Sequence, residues 1–344
     1  MNPSDPSIQL ETLPVQLDGV QKNLRIFPGI SGSCFQHSDD SSASSALQGV
    51  PMFPQLFSML NSNYLDQKNR MGHLTYELRL GPTQGAALYS KCVQVCRILD
   101  LPQLPEFYLN THPMINAYSS GVNEPIVSIS HGCVAHLSEA ELLAVIGHEL
   151  GHIKCHHGFN QSLASLFAQA GVSSISNIVP VIGATAVFGF RAALGHWSRM
   201  AEFSCDRAAL LVVQDPQVVA GLIAKIAGFY EGVVPDFNFE SLYTQLDDYN
   251  KYDQNAWQSL VKLEKMIFDS IDENNTHPSP VLRIKRILEW GESDQYEDIL
   301  AGKYTPESST TLSTTPMPNT MRCASCGTAL QLDAKFCSRC GHRA

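Results

Sequence analysis

The run Val145-Ile146-Gly147-His148-Glu149-Leu150-Gly151-His152 sets two histidines four residues apart, with a glutamate directly after the first. On a helix, residues i and i+4 share a face, so both imidazoles can reach one divalent ion. Glu149 stands one step round, off that line, where a carboxylate suits taking a proton from an activated water. These are the working parts of metal-assisted hydrolysis. A chance match is the plain alternative. It is disfavoured because the run lies in an apolar helical pattern that opens at Ser138 and continues through Leu142, Leu143, Val145, Ile146, Leu150 and Ile153. Gly151 costs a helix about 1 kcal/mol against alanine, which implies that something passes close to the backbone there.

Two imidazoles need a third donor. A helix expected over about 195–213 offers His196, Glu202, Cys205 and Asp206. Glu202 and Asp206 are one turn apart and share a face, so one carboxylate could ligate while the other orients a histidine ring. Spacing alone does not choose between them. A solvated acidic face is the alternative, weakened by Ala201, Phe203, Ala208, Ala209, Leu210 and Leu211 around it. A third histidine further along the first helix is excluded, since that pattern wants glycine at 155 and histidine at 158 and the chain has Cys155 and Gly158. His156 and His157 read as ordinary polar residues beyond the pair.

These side chains need elements to hold them. Residues 1–50 read as irregular, because Ser31 to Gly49 is rich in Ser, Asp and Gly; Leu24 to Phe27 reads as a short strand or docking segment. Helical spacing starts near Pro51, and a second helix is expected from about Gly85 to Leu99. Its Cys92 and Cys96 read as core residues before ligands. Phe107 to Leu109 and Ile126 to Ile129 read as strands, with Asn116-Ala117-Tyr118 in a further strand between them. The expected product is a small antiparallel sheet whose free edge accepts an extended substrate chain.

Residues 162–190 carry no charge over 29 positions. A membrane span needs about 20 predominantly apolar residues. Pro180 divides this run, and its first part holds five serines, Gln169 and Asn177. A helical hairpin packed on the protein is favoured over contact with a membrane. Further helices are expected at about 216–230, 254–271 and 278–290, the last with an apolar stripe of Val281, Ile284, Ile287 and Leu288.

The chain has 344 residues, 44% hydrophobic and 16% charged, with a formal net charge of −10. That can bury a sizeable core and disfavours nucleic acid as a partner of the main body. Six cysteines (34, 92, 96, 133, 155, 205) are scattered, and Met1 to Asp18 has no secretory pattern. A cytoplasmic protein with reduced thiols is expected. Twelve of the sixteen residues 305–320 are Ser, Thr or Pro, which makes 304–321 a linker. Beyond it stand Cys323-Ala324-Ser325-Cys326-Gly327 and Cys337-Ser338-Arg339-Cys340-Gly341. Two such knuckles indicate a structural zinc held by Cys323, Cys326, Cys337 and Cys340. It resembles the zinc-ribbon domains at the ends of many bacterial proteins, with docking of a protein partner as the expected role.

Five separated motifs carry a wider resemblance: Asn116-Ala117-Tyr118, Ser138 to Val145, His148 to His152, Glu202 with Asp206, and Thr276-His277-Pro278 with Arg283. Over roughly Phe107 to Trp290 the chain resembles the M48 family of zinc metallopeptidases, which includes the HtpX and Ste24 proteases. The resemblance implies an α+β, mainly helical, zincin-like metalloprotease domain with a small antiparallel sheet, followed by a small four-cysteine zinc ribbon. It implies His148, His152 and Glu202 as zinc ligands, Glu149 as general base and Asp206 as the residue that orients a ligand. His277 is expected to help stabilise the oxyanion, with Arg283 supporting it. Unlike HtpX and Ste24, this chain has no clear membrane span. The expected organisation is 1–50 irregular, 51–303 peptidase, 304–321 linker and 322–344 ribbon. The expected function is zinc-dependent endopeptidase action on protein or peptide substrates, with protein quality control as the setting and two zinc ions, one catalytic and one structural. The rival is a catalytically inactive interaction protein that acts through its ribbon.

Overall fold

A computed structural model describes residues 11–50, 53, 62–169, 184–230, 232–252 and 278–306, with two short strands at 321–322 and 329–330. The chain opens on a hairpin, β1 (Thr12–Leu17) and β2 (Val20–Arg25), paired antiparallel. Asp18 and Gly19 both take positive φ (51° and 81°), the backbone a two-residue hairpin turn requires. Leu13, Val15 and Leu17 alternate inward. Two helices follow, α1 (Gly32–Phe35) and α2 (Ser38–Gln48). The irregular reading is therefore corrected over residues 11–50. α2 has only two apolar anchors, Ala43 and Leu47, and its other inward residue is a carboxylate, Asp40. A helix buried through a polar group leaves no hydrophobic stripe to read.

Next come α3 (Ser62–Tyr76), β3 (Leu78–Arg79), α4 (Ala86–Ile98), β4 (Glu106–Asn110), β5 (Ala117–Ser120) and β6 (Ile126–Ser130). The sheet order is β3-β4-β6-β5. It is mixed rather than antiparallel: β5 pairs antiparallel with β6, but β4 and β6 run parallel. β6 enters between the two earlier strands, and all five of its residues are buried. That leaves β5 on an edge. Cys92 and Cys96 lie in the core of α4, as expected.

A short helix, α5 (His131–His136), leads into α6 (Glu139–Lys154). Ser138 and Glu141 close a reciprocal capping box at the start of α6. α7 (Gly158–Gln169) and the long α8 (Ala184–Val213) come next. Leu163, Phe167, Phe190, Leu194 and Trp197 form a second core with Ala43 and Leu47 of α2. Leu163, Phe167 and Phe190 of the 162–190 stretch thus pack on protein, and no described helix is long and apolar enough to cross a membrane.

The remaining helices are α9 (Pro216–Ile226), α10 (Phe239–Tyr252), α11 (Pro280–Gly291) and α12 (Asp294–Leu300). Val281, Ile284, Ile287 and Leu288 bury the stripe expected for α11. The helix expected at 254–271 lies outside the described residues. Strands β7 (Met321–Arg322) and β8 (Ala329–Leu330) pair antiparallel on either side of the first cysteine knuckle in sequence.

Candidate metal centre

Helices α6 and α8 meet along a close seam whose α6 side is made by glycines. A Cβ at Gly147 would stand 2.8 Å from Val212 Cγ2, and one at Gly151 would stand 2.8 Å from Ala208 Cβ and 3.0 Å from Cys205 Cα. The passing element implied by Gly151 is α8. Close backbones bring the short Glu202 and Asp206 side chains up to the two imidazoles.

Glu202 spans the pair. Its Oε2 is 3.4 Å from His148 Nε2 and its Oε1 is 3.5 Å from His152 Nε2. Those separations are long for hydrogen bonds. They suit ligands of one tetrahedral ion, whose donors lie ~3.4 Å apart when each bond is about 2.0–2.1 Å. Two imidazole nitrogens and a carboxylate form a donor set fit for zinc. His148, His152 and Cys205 also bring donor atoms within 4.8 Å of one another. Burial pushes the Cys205 thiol well above its ordinary pKa, however, and it is Glu202 that faces the adjoining cavity.

The electrostatics agree. Burial works against a charge on His148, but the Glu202 and Asp206 carboxylates outweigh it and raise the ring to about 10. The site is built to face a cation, and an ion ligated at Nε2 takes the place of that proton. His148 Nδ1 lies 3.1 Å from Asp206 Oδ1. Arg283 donates to both Asp206 oxygens, from Nε at 2.8 Å and from a terminal nitrogen at 2.6 Å. Burial would raise the Asp206 pKa, but the Arg283 charge and its hydrogen bonds hold it below the ordinary value. The other terminal nitrogen of Arg283 is 3.3 Å from Glu202.

A cavity of about 260 Å³ opens on this cluster. His148, Glu149, Glu202 and Arg283 form its polar wall, and Val145, Leu222, Ile223 and Ile226 its apolar wall. Asn116 and Ala117, at the start of the edge strand, complete it. Glu149 is buried and lines the cavity with His148. Tyr118 belongs elsewhere: successive strand residues face opposite ways, and its hydroxyl donates to Glu77 at 2.5 Å. His196 is exposed on α8, away from the cluster. His277, Cys323, Cys326, Cys337 and Cys340 lie outside the described residues; Pro278, next after His277 in sequence, lines the cavity.

One expectation is overturned. His157 is no ordinary polar residue; it is buried against His152. His156 takes a left-handed turn (φ 58°), and the His157 N–H donates to the His152 carbonyl at 2.9 Å. This folds the His157 ring back so that its Nδ1 sits 3.0 Å from His152 Nδ1. Its Nε2 then meets Asp40 Oδ2 at 3.0 Å. The only sequence signal was a second histidine pair just past the helix end, and nothing local tied it to Asp40, 117 residues earlier.

Residues 82–291 match the family model of peptidase family M48, and residues 322–343 match a zinc-ribbon domain. The chain is 28% identical over 277 residues to the chloroplastic plastoglobule-localized metallopeptidase 48 of Arabidopsis thaliana, covering 80% of this chain and 77% of that one. It is 27% identical to a protease HtpX homolog of Moorella thermoacetica, covering 43% of this chain and 57% of that protein, less than two thirds of its length. An HtpX homolog of Burkholderia thailandensis is 25% identical, with 62% and 78% covered. No solved structure matches.

Proposed function

The chain belongs to peptidase family M48 and is a zinc metalloprotease that acts on proteins; from that premise we propose that His148, His152 and Glu202 hold the catalytic zinc. The observation that carries this reading is the Glu202 carboxylate spanning both Nε2 atoms at 3.4 and 3.5 Å. Zinc bound there supplies Lewis acidity, which makes water a nucleophile at neutral pH and polarises a peptide carbonyl.

The chain's own residues do the rest. Glu149, at the cavity wall, takes the proton of the attacking water and returns it to the leaving amine. Asp206 accepts from His148 Nδ1 and so keeps Nε2 free to ligate, while Arg283 holds Asp206 ionised in a buried place. The edge strand β5 offers its outer backbone to an extended substrate segment, with Asn116 and Ala117 nearest the reacting carbonyl. His277 is the oxyanion donor in this scheme, a role supported by Pro278 in the cavity wall.

A second zinc closed among Cys323, Cys326, Cys337 and Cys340 holds the ribbon, whose role is to dock a protein partner. The reading keeps a cytoplasmic location with reduced thiols; the burial of Leu163, Phe167 and Phe190 in the protein's own core supports the packing of these residues on protein.

Glu149→Gln should keep bound zinc and lose peptide cleavage by a factor on the order of 10²–10⁴. Glu202→Ala should lose the catalytic zinc as well. Full chelator-sensitive proteolysis by the Glu149 variant would overturn the scheme.

A further inference from the structure

Metal-ligating histidines almost always donate their second ring N–H to a partner that fixes the ring. For His148 that partner is Asp206. For His152 it is His157, backed in turn by a carboxylate from a different part of the chain. Asp40 lies on α2, outside the family-matched residues 82–291, and is fully buried. It accepts from Gln36 Nε2 at 2.9 Å, from Ser204 Oγ at 2.6 Å and from Ser44 Oγ at 3.3 Å. Its remaining contact is His157 Nε2 at 3.0 Å, and His157 Nδ1 reaches His152 Nδ1 at 3.0 Å. The Trp197 ring packs edge-on to His157 at 5.4 Å and sets its plane.

The protons along this line have one consistent arrangement. His152 must leave Nε2 bare to ligate, so its proton is on Nδ1 and is donated to His157 Nδ1. His157, accepting there, carries its own proton on Nε2 and donates it to the Asp40 carboxylate.

We propose that Asp40 and His157 are positioning residues for the catalytic metal, a carboxylate–imidazole–imidazole line that fixes the tautomer and ring orientation of His152. The N-terminal segment is then part of the metal centre. This rests on His152 being a ligand. The donors of Asp40, Cys155 and His157 also lie within 4.8 Å of one another. The 3.0 Å contact from His157 to Asp40 is nevertheless a hydrogen-bond length, shorter than the ~3.4 Å between donors sharing a tetrahedral ion.

The test uses the full chain loaded with cobalt(II), whose thiolate charge-transfer band reports ribbon occupancy, so that the catalytic site is read as the difference from the parent's visible spectrum at equal ribbon loading. Competition with a chromophoric chelator gives the affinity. The variants are Asp40→Asn, which keeps the shape, His157→Gln, whose amide oxygen can still accept from His152, and His157→Leu, which cannot accept. Glu202→Gln serves as the control. Asp40→Asn should bind metal about 10–100-fold more weakly with altered visible bands, while its metal-free melting temperature stays near that of the parent. His157→Gln should retain more affinity than His157→Leu; if the leucine variant does not fold, the other two decide. Affinity within about twofold of the parent in Asp40→Asn and His157→Gln overturns the proposal. So does a lower metal-free melting temperature with unchanged affinity. If Glu202→Gln also binds normally, the ligand assignment falls; if it alone loses metal, only the positioning line falls.

Discussion

Gly151 and Ala208 stand so close that a Cβ on the first would lie 2.8 Å from the Cβ of the second. Their contact sets the spacing between the helix of the two histidines and the helix of Glu202. A methyl group cannot enter without moving one helix, and overpacking of this kind costs about 1–3 kcal/mol. Gly151→Ala should therefore lose stability in denaturant unfolding and bind catalytic metal more weakly, even though alanine is the better helix former. Unchanged stability and affinity would show that the seam does not set the site.

Arg283 is the buried cation between Asp206 and Glu202. Its removal leaves the His148 ring to balance both carboxylates, and breaking a buried pair costs roughly 3–5 kcal/mol. Arg283→Leu should be strongly destabilised without metal. Zinc supplies positive charge to the same two residues, so the gap to the parent should narrow when zinc is added. Thermal melts with and without zinc measure this. A gap independent of zinc would mean that Arg283 acts by packing alone.

Glu77 ties β5 to the body of the protein. It accepts from Ser128 Oγ at 2.6 Å and from the Tyr118 hydroxyl, and it pairs with His73 Nδ1 at 2.9 Å. Burial would raise its pKa, but these hydrogen bonds, that of His73 first, hold it below the ordinary value. A carboxyl depressed on folding contributes stability that is fully present above its unfolded pKa of about 4.3 and is lost as pH falls through its folded value. Glu77→Gln should thus be less stable than the parent at pH 7, with the difference closing below about pH 4. Chemical unfolding at several pH values tests the sign. A difference that widens in acid would contradict it.

The ribbon should be separable from the chemistry. Replacing Cys323 and Cys337 together by serine should lower bound zinc from two equivalents to one and leave cleavage of a short peptide close to that of the parent. Metal analysis and a peptide assay on the same preparation decide it. Loss of peptide cleavage with the catalytic zinc retained would give the ribbon a part in turnover.

The His148–His152 pair and its capped helix were legible because helical periodicity, a cap and the ligand spacing all fall within seventeen residues of one another. Glu202 and Asp206 were legible as candidates, but only family resemblance could order them, because which carboxylate faces the rings depends on how α8 is turned against α6. The parallel pairing of β4 with β6 was hidden, since a chain-order reading pairs neighbours and β6 inserts between earlier strands. Asp40 and His157 were hidden for a stronger reason. Neither lies on an apolar stripe, and their significance is a 3.0 Å contact between residues 117 apart.

Glu202 rides on an unbroken helix of 30 residues. It sits eighteen residues from the start at Ala184, about 27 Å at 1.5 Å per residue. A rod of that length passes a tilt or twist from one end to the other with little damping. Whatever grips the N-terminal end of α8 therefore has a lever on Glu202, the proposed third ligand.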